Sequence, residues 1–241
     1  MRMERLRLFV VCLLASASLV RATHGQTTKT LHAPNGVDVS YEELGDLKAP
    51  NCLILLHGSS GPSLPIYRDQ SAFFGAHGFH VIMPHYFDAT RSSSPTVENY
   101  QKWANLTMDF VLGCRRQSAT QGVFLIGYSL GSSVALAAGS QGAQVDAIAD
   151  WYGSLPDEFF YQMKGMPPLL ILHGERDSNI PIINAQQLVK LCEMKHLHCD
   201  HHFYPDQDHG FTGKALDDAD QRTLSFFAQY FPKSKKDIEL R

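Results

Sequence analysis

Five short, largely apolar runs punctuate this chain, at residues 52–56, 79–83, 123–126, 145–149 and 169–172. A strand with one wet face alternates apolar and polar residues. These runs do not alternate, so each reads as a strand covered on both faces. Helical patterns fall between them, at 66–76, 97–116 and 132–138, and one later helix is marked by Ala185, Leu188, Val189 and Cys192. A strand at 37–43 (after a turn at Pro34-Asn35-Gly36), a last strand at 201–204 and a closing helix at 224–231 complete the pattern. Alternating strands and helices build a mostly parallel sheet with helices on both sides. The expected fold class is therefore α/β, with no insertion long enough for a large cap domain. In such folds ligands bind beyond the carboxyl ends of the strands, so the residues just after each run carry the most information.

The run at 123–126 leads into Gly127-Tyr128-Ser129-Leu130-Gly131, and small residues follow at Ser132, Ala135 and Ala138. Between a strand and a helix, Gly-x-Ser-x-Gly is a sharp corner that lifts the serine hydroxyl clear of the sheet. The glycines are there because a side chain would collide with the neighbouring turn or strand. The same corner aims the backbone N–H of Leu130 at a bound carbonyl oxygen. The pentapeptide alone arises often by chance. Its strand-to-helix context makes Ser129 a candidate nucleophile.

A serine hydroxyl needs a base. His209, in Asp208-His209-Gly210-Phe211, follows the last expected strand and precedes the closing helix. That place suits the chain order serine, acid, histidine, although a solvated loop histidine is the plain alternative for one of 12 histidines. The base in turn needs a carboxylate to fix its tautomer. Asp177, in His173-Gly174-Glu175-Arg176-Asp177, lies in the polar loop past 169–172 and is preferred. Asp150, after 145–149, is its rival, and Glu175 is a weaker one. Asp206 and Asp208 stand too near His209 in sequence to orient it and are expected to be exposed. A second oxyanion donor is sought in His57-Gly58-Ser59-Ser60-Gly61, with the Ser59 N–H first and Ser60 behind it. Loss of one such donor typically raises a barrier by about 3 kcal/mol. His57 and His173 are read as loop-stabilising residues.

These pieces together resemble the α/β-hydrolase superfamily and, within it, the dienelactone hydrolase family. Residues 84–87, Tyr152-Gly153, His173-Gly174-Glu175-Arg176-Asp177 and His209-Gly210-Phe211 fall where that family carries similar residues, and the similarity runs from about residue 37 to the end of the last helix. The resemblance implies a triad of Ser129, Asp177 and His209. Two departures stand out. The namesake enzymes use a cysteine where this chain has Ser129, and they keep a glutamate in the loop occupied here by 57–61, which has no carboxylate. A general serine esterase fits these residues better than a dienelactone specialist. No cofactor is implied.

The amino terminus reads as a secretory signal. Arg2, Arg5 and Arg7 precede an apolar stretch at 8–20, and Val20-Arg21-Ala22 offers a cleavage site, with a second after Thr23-His24-Gly25. The stretch is shorter than the roughly 20 residues that span a bilayer. Cleavage after Ala22 leaves 219 of the 241 residues as a single domain, 23–241, in a secreted or periplasmic setting. The full chain carries a formal net charge of −3 and the leader +3, leaving −6. That balance, with no basic stripe, argues against a nucleic-acid partner, and no second apolar stretch suggests a membrane span.

Cys52, Cys114, Cys192 and Cys199 survive cleavage. Cys192 and Cys199 flank a short link and can bridge, or all four can be buried thiols. Their spacing is not that of a zinc site, and the loose group His196, His198, His201 and His202 is split by strand alternation, so no metal is expected. Asn105-Leu106-Thr107 is a sequon on the side of its helix away from the apolar stripe (Val97, Tyr100, Ala104, Thr107, Val111, Cys114), so Asn105 should be exposed. Residues 85–96 are expected to line the mouth of the site, with Arg91 read as a solvated loop residue in preference to a carboxylate binder; Tyr86, Phe87, Trp151 and Tyr152 are candidate apolar walls, although aromatic residues at strand ends are more often plain packing. The function expected is hydrolysis of small carboxylic esters through an acyl-enzyme on Ser129. A small peptidase or lactonase of the same fold, or a noncatalytic binder that kept it, are the alternatives. Oligomeric state is not encoded legibly.

Overall fold

A computed structural model describes residues 27–33, 36–163 and 165–231. The expected leader at 1–22 and most of the turn at Pro34-Asn35-Gly36 lie outside these residues. Eight strands form one sheet: β1 (Thr27–His32), β2 (Asp38–Leu44), β3 (Asn51–Leu56), β4 (Phe79–Pro84), β5 (Gly122–Tyr128), β6 (Ala147–Trp151), β7 (Leu169–Gly174) and β8 (Cys199–Tyr204). Their spatial order is β1-β2-β4-β3-β5-β6-β7-β8. Only β1 and β2 run antiparallel to their neighbours. Pairing from β4 through β8 is parallel throughout.

Among the described residues, five α-helices lie between strands, α1 (Pro65–Ala76), α2 (Val97–Arg116), α3 (Leu130–Ser140), α4 (Asp157–Gln162) and α5 (Ile183–Lys195), and α6 (Lys214–Ala228) follows β8. The sheet is covered on both faces, as its apolar runs require. In β3, Cys52, Ile54 and Leu56 enter a core shared with α2, α3 and α5. Leu53 and Leu55 enter the opposite core, which holds Phe74 of α1 and Phe226 and Phe227 of α6. All five residues are fully buried. Burying such a side chain contributes about 1.5–3 kcal/mol, so β3 is a keystone of both layers.

Several boundaries differ from expectation. β1 and α4 were not expected: β1 is a largely exposed edge strand without apolar alternation, and α4 has only six residues. β6 begins two residues later than 145–149, which puts Asp150 inside the strand rather than after it. α6 starts at Lys214, ten residues before 224, because Asp217, Asp218 and Asp220 blur its apolar stripe. α3 starts at Leu130, immediately after the corner serine. On α2, Val97 is exposed rather than part of the buried stripe, while Asn105 is exposed as expected.

Two disulfides cross-link the structure. Cys192–Cys199 ties α5 to β8, and Cys52–Cys114 ties β3 to α2 across 62 residues of sequence. Among the described residues no helix is long and apolar enough to cross a membrane.

Candidate active site

The corner after β5 is built by steric necessity. A Cβ at Gly131 would lie 2.1 Å from the Leu56 carbonyl oxygen, and one at Gly127 would lie 2.4 Å from Ser132 Cα. Both distances are impossible for real atoms, so the helix and strands approach this closely only with glycine. Ser129 itself sits at φ 55, ψ −120. A non-glycine residue held there costs on the order of 1–3 kcal/mol of backbone strain. The Ser129 N–H is tied down to the Trp151 carbonyl at 3.0 Å.

Three loops then meet. The Ser129 hydroxyl donates to His209 Nε2 at 2.8 Å. His209 Nδ1–H donates to Asp177 Oδ2 at 2.8 Å. Asp177 Oδ1 accepts the N–H groups of Asn179 and Ile180 at 2.9 and 2.8 Å. The carboxylate is therefore held by its own loop before it meets the imidazole. Its side chain is fully buried, whereas that of His209 is 17 % exposed and reaches the cleft.

The remaining candidates separate cleanly. Asp150 is buried and its partners are not His209: its Oδ1 accepts the Ser132 hydroxyl at 2.5 Å and the Gly153 N–H at 2.9 Å. Burial raises its pKa, and its Oδ2 has no partner among the described residues. Glu175, Asp206 and Asp208 are exposed. His173 Nε2–H donates to the Ile180 carbonyl at 2.8 Å and lies 3.3 Å from Asp177 Oδ2, bracing the acid loop. His57 Nδ1–H donates to the Gly58 carbonyl at 2.9 Å, and burial lowers the His57 pKa to about 4, so the ring is neutral.

Leu130 is the first residue of α3, so its N–H has no carbonyl a turn earlier in the helix to bond. Ser59 and Ser60 both line a cleft of about 520 Å³ that also contains Ser129 and His209. Leu64, Ile66, Phe211 and Leu216 give this cleft its apolar surface. The expected mouth was different. Tyr86 and Trp151 are fully buried packing residues. Tyr86 stacks on His57 at 4.3 Å with Phe87 edge-on to the same ring. Arg91 is exposed in its loop. Of the four candidate walls, Tyr152 alone lines the cleft, its ring 5.1 Å from that of His209, and the packing alternative holds for Tyr86 and Trp151. The opening lies instead toward α1 and the loop before α6.

Sequence reasoning passed over two residues. Asp208 is exposed as expected, yet its Oδ1 accepts Ser178 N–H, Ser178 hydroxyl and His209 N–H at 2.7, 2.8 and 2.7 Å. It joins the acid loop to the histidine loop, and these bonds lower its pKa. No pattern in the sequence marks that pairing. Tyr67, on α1, reaches the loop after β3, where its hydroxyl accepts the Gly58 N–H at 2.8 Å.

The sheet order and the serine corner define an α/β-hydrolase fold. The fold is shared with solved structures of low sequence identity. An esterase from Pyrococcus furiosus is 14% identical, with a TM-score of 0.71, over 86% of this chain and 92% of that one. A dienelactone hydrolase-like promiscuous phosphotriesterase from metagenomic libraries is 13% identical, also with a TM-score of 0.71, over 86% and 99%. Est1E from Butyrivibrio proteoclasticus is 12% identical, with a TM-score of 0.65, over 83% and 99%. No curated protein sequence matches the chain. The sequence model of the dienelactone hydrolase family matches residues 71–231, about two thirds of the chain. The chain belongs to the dienelactone hydrolase family, and is a hydrolase of the esterase-like kind.

Proposed function

We propose that this protein is an exported serine hydrolase that cleaves small carboxylic esters, with Ser129 as nucleophile, His209 as base and Asp177 as the orienting acid. The observation that carries the reading is the unbroken chain of hydrogen bonds from Ser129 Oγ through the imidazole to Asp177, anchored on a strained corner. Ser129 Oγ attacks the ester carbon as its proton passes to His209 Nε2, and the carbonyl electron pair moves to oxygen. The N–H groups of Leu130 and Ser59 receive that oxyanion. When the tetrahedral intermediate collapses, His209 returns the proton to the leaving alcohol. Water, deprotonated by His209, then releases the acid and restores Ser129. Asp177 keeps the Nδ1–H tautomer in place and stabilises the imidazolium that forms twice per cycle.

Two further observations support parts of this reading. Two disulfides suit an oxidising compartment, in line with the leader-like amino terminus. The cleft sets the apolar side chains of Leu64, Ile66, Phe211 and Leu216 beside hydroxyl, amide and imidazole groups around Ser129, a lining that suits a small ester with an apolar part and a polar carbonyl. A lactone is an internal ester, so the same steps open one. The test is turnover of p-nitrophenyl acetate by the protein lacking residues 1–22. The wild type should hydrolyse it with saturation kinetics and Ser129→Ala should not. Equal turnover by the two proteins would end the proposal.

A further inference from the structure

The loop after β3 is expected to supply one oxyanion donor, but its Gly58 amide is already engaged. The Gly58 N–H donates to the Tyr67 hydroxyl at 2.8 Å. A tyrosine hydroxyl has one proton to give as well as lone pairs to receive. Tyr67 receives with its oxygen, and none of the described residues accepts its proton. The residue is 5 % exposed, and it lines the cleft that holds Ser129 and His209.

The position of the hydroxyl relative to Ser129 follows from Gly58. A Cβ on Gly58 would lie 2.9 Å from the Tyr67 hydroxyl oxygen and 3.4 Å from Ser129 Cβ. The phenol and the serine side chain thus flank the same bare Cα. A larger residue at position 58 would wedge between them. The ring is held from behind, its centroid 5.6 Å from that of Tyr128 and 6.2 Å from that of His57. A rigid, buried hydroxyl whose oxygen is pinned by a backbone amide has its proton aimed by that bond, at no reorganisation cost when charge develops.

We infer that Tyr67 is a catalytic residue: its hydroxyl donates a third hydrogen bond to the substrate carbonyl oxygen as that oxygen becomes an anion, beside the N–H groups of Leu130 and Ser59. The inference rests on the reading of Ser129 as nucleophile. Tyr67 keeps its proton throughout, and no covalent bond to it forms or breaks. Burial raises its pKa above that of free tyrosine, so it remains a donor at neutral pH. The Gly58 N–H acts at one remove, polarising the phenol through its oxygen.

The test compares wild type, Ser129→Ala, Tyr67→Phe and a protein with 3-fluorotyrosine at position 67, all with p-nitrophenyl acetate and with a trifluoromethyl ketone that adds to serine and presents an oxyanion. Tyr67→Phe should lower kcat about 100-fold, in the range for loss of one oxyanion donor, and should weaken trifluoromethyl ketone binding by a similar factor. KM and the thermal midpoint should change little. A role limited to bracing Gly58 predicts the opposite split, with a lowered midpoint and equal losses in KM and kcat, and overturns the inference. The fluorinated residue keeps the shape and is a stronger donor. Its kcat and inhibitor affinity should match or exceed wild type, and a fall in both would also overturn the inference, even where Tyr67→Phe proves unstable. If wild type and Ser129→Ala turn over equally, the nucleophile reading fails and this inference with it. If Ser129 is essential and Tyr67→Phe retains kcat within twofold, only the Tyr67 inference fails.

Discussion

The ends of β6 and β7 each carry a buried carboxylate, and the two are used in opposite ways. Asp177 lies three residues beyond β7, on a loop long enough to double back, so one oxygen accepts two amides of its own loop while the other faces His209. Asp150 lies within β6, where its side chain has no freedom to reach the cleft, and it binds Ser132 of α3 and Gly153 instead. The difference is one of tether length. A carboxylate on a strand is a structural group that braces the helix behind the serine. The same group on a loop past the strand becomes available to the histidine.

The largest effect should come from the β7 end. Asp177→Asn keeps the shape but favours the wrong imidazole tautomer, and kcat for p-nitrophenyl acetate should fall about 10⁴-fold with little change in thermal midpoint. A loss under tenfold would break the contrast with Asp150. Next, Ser132→Ala leaves the Asp150 carboxylate short of a buried donor. Urea unfolding should show destabilisation of about 1–3 kcal/mol, with kcat per folded molecule unchanged; a selective loss of kcat would place Asp150 in the chemistry after all. Asp208→Ala should uncouple the two loops and lower kcat about tenfold, since small misplacements at a reacting centre are costly, while Ser129 remains essential. Steady-state kinetics at saturating ester would measure it, and unchanged kcat would show that the acid loop holds its place alone.

The smallest effect concerns pH. Burial raises the folded-state pKa of Asp150, so between the ordinary carboxylate range and that raised value the native state holds more proton than the unfolded chain. This group's contribution therefore makes stability fall as pH rises through that window. Asp150→Asn should flatten that part of the stability curve, as read by urea midpoints at a series of pH values. An unaltered slope would mean that Asp150 titrates alike in both states.

The same distinction explains what was legible beforehand. Buried parallel strands have no polar face, so five apolar runs marked them even without boundaries. The corner was legible because Gly127, Ser129 and Gly131 are forced by contacts within a few residues and with β3. β1 packs only Leu31 against the core and left no such mark. Asp150 and Asp177 were not separable by type, since both follow or end apolar runs; tether length favoured Asp177, and the later start of β6 sharpens that argument. The Cys52–Cys114 bridge, the Asp208 clamp and the reach of Tyr67 to Gly58 join segments whose meeting depends on how helices lie on the sheet. No local pattern encodes those distances. The mouth at 85–96 was misplaced for the same reason: the rings of Tyr86 and Phe87 turn inward onto His57.

The central claim is that the Asp177–His209 pair activates Ser129, and covalent labelling tests it most directly. The protein would be treated with a fluorophosphonate at neutral pH and the adduct located by peptide mass spectrometry over time. One adduct per chain on the peptide carrying Ser129 is expected, forming far more slowly in Asp177→Asn and His209→Ala. An adduct on another residue, or the same rate in all three proteins, would contradict the account.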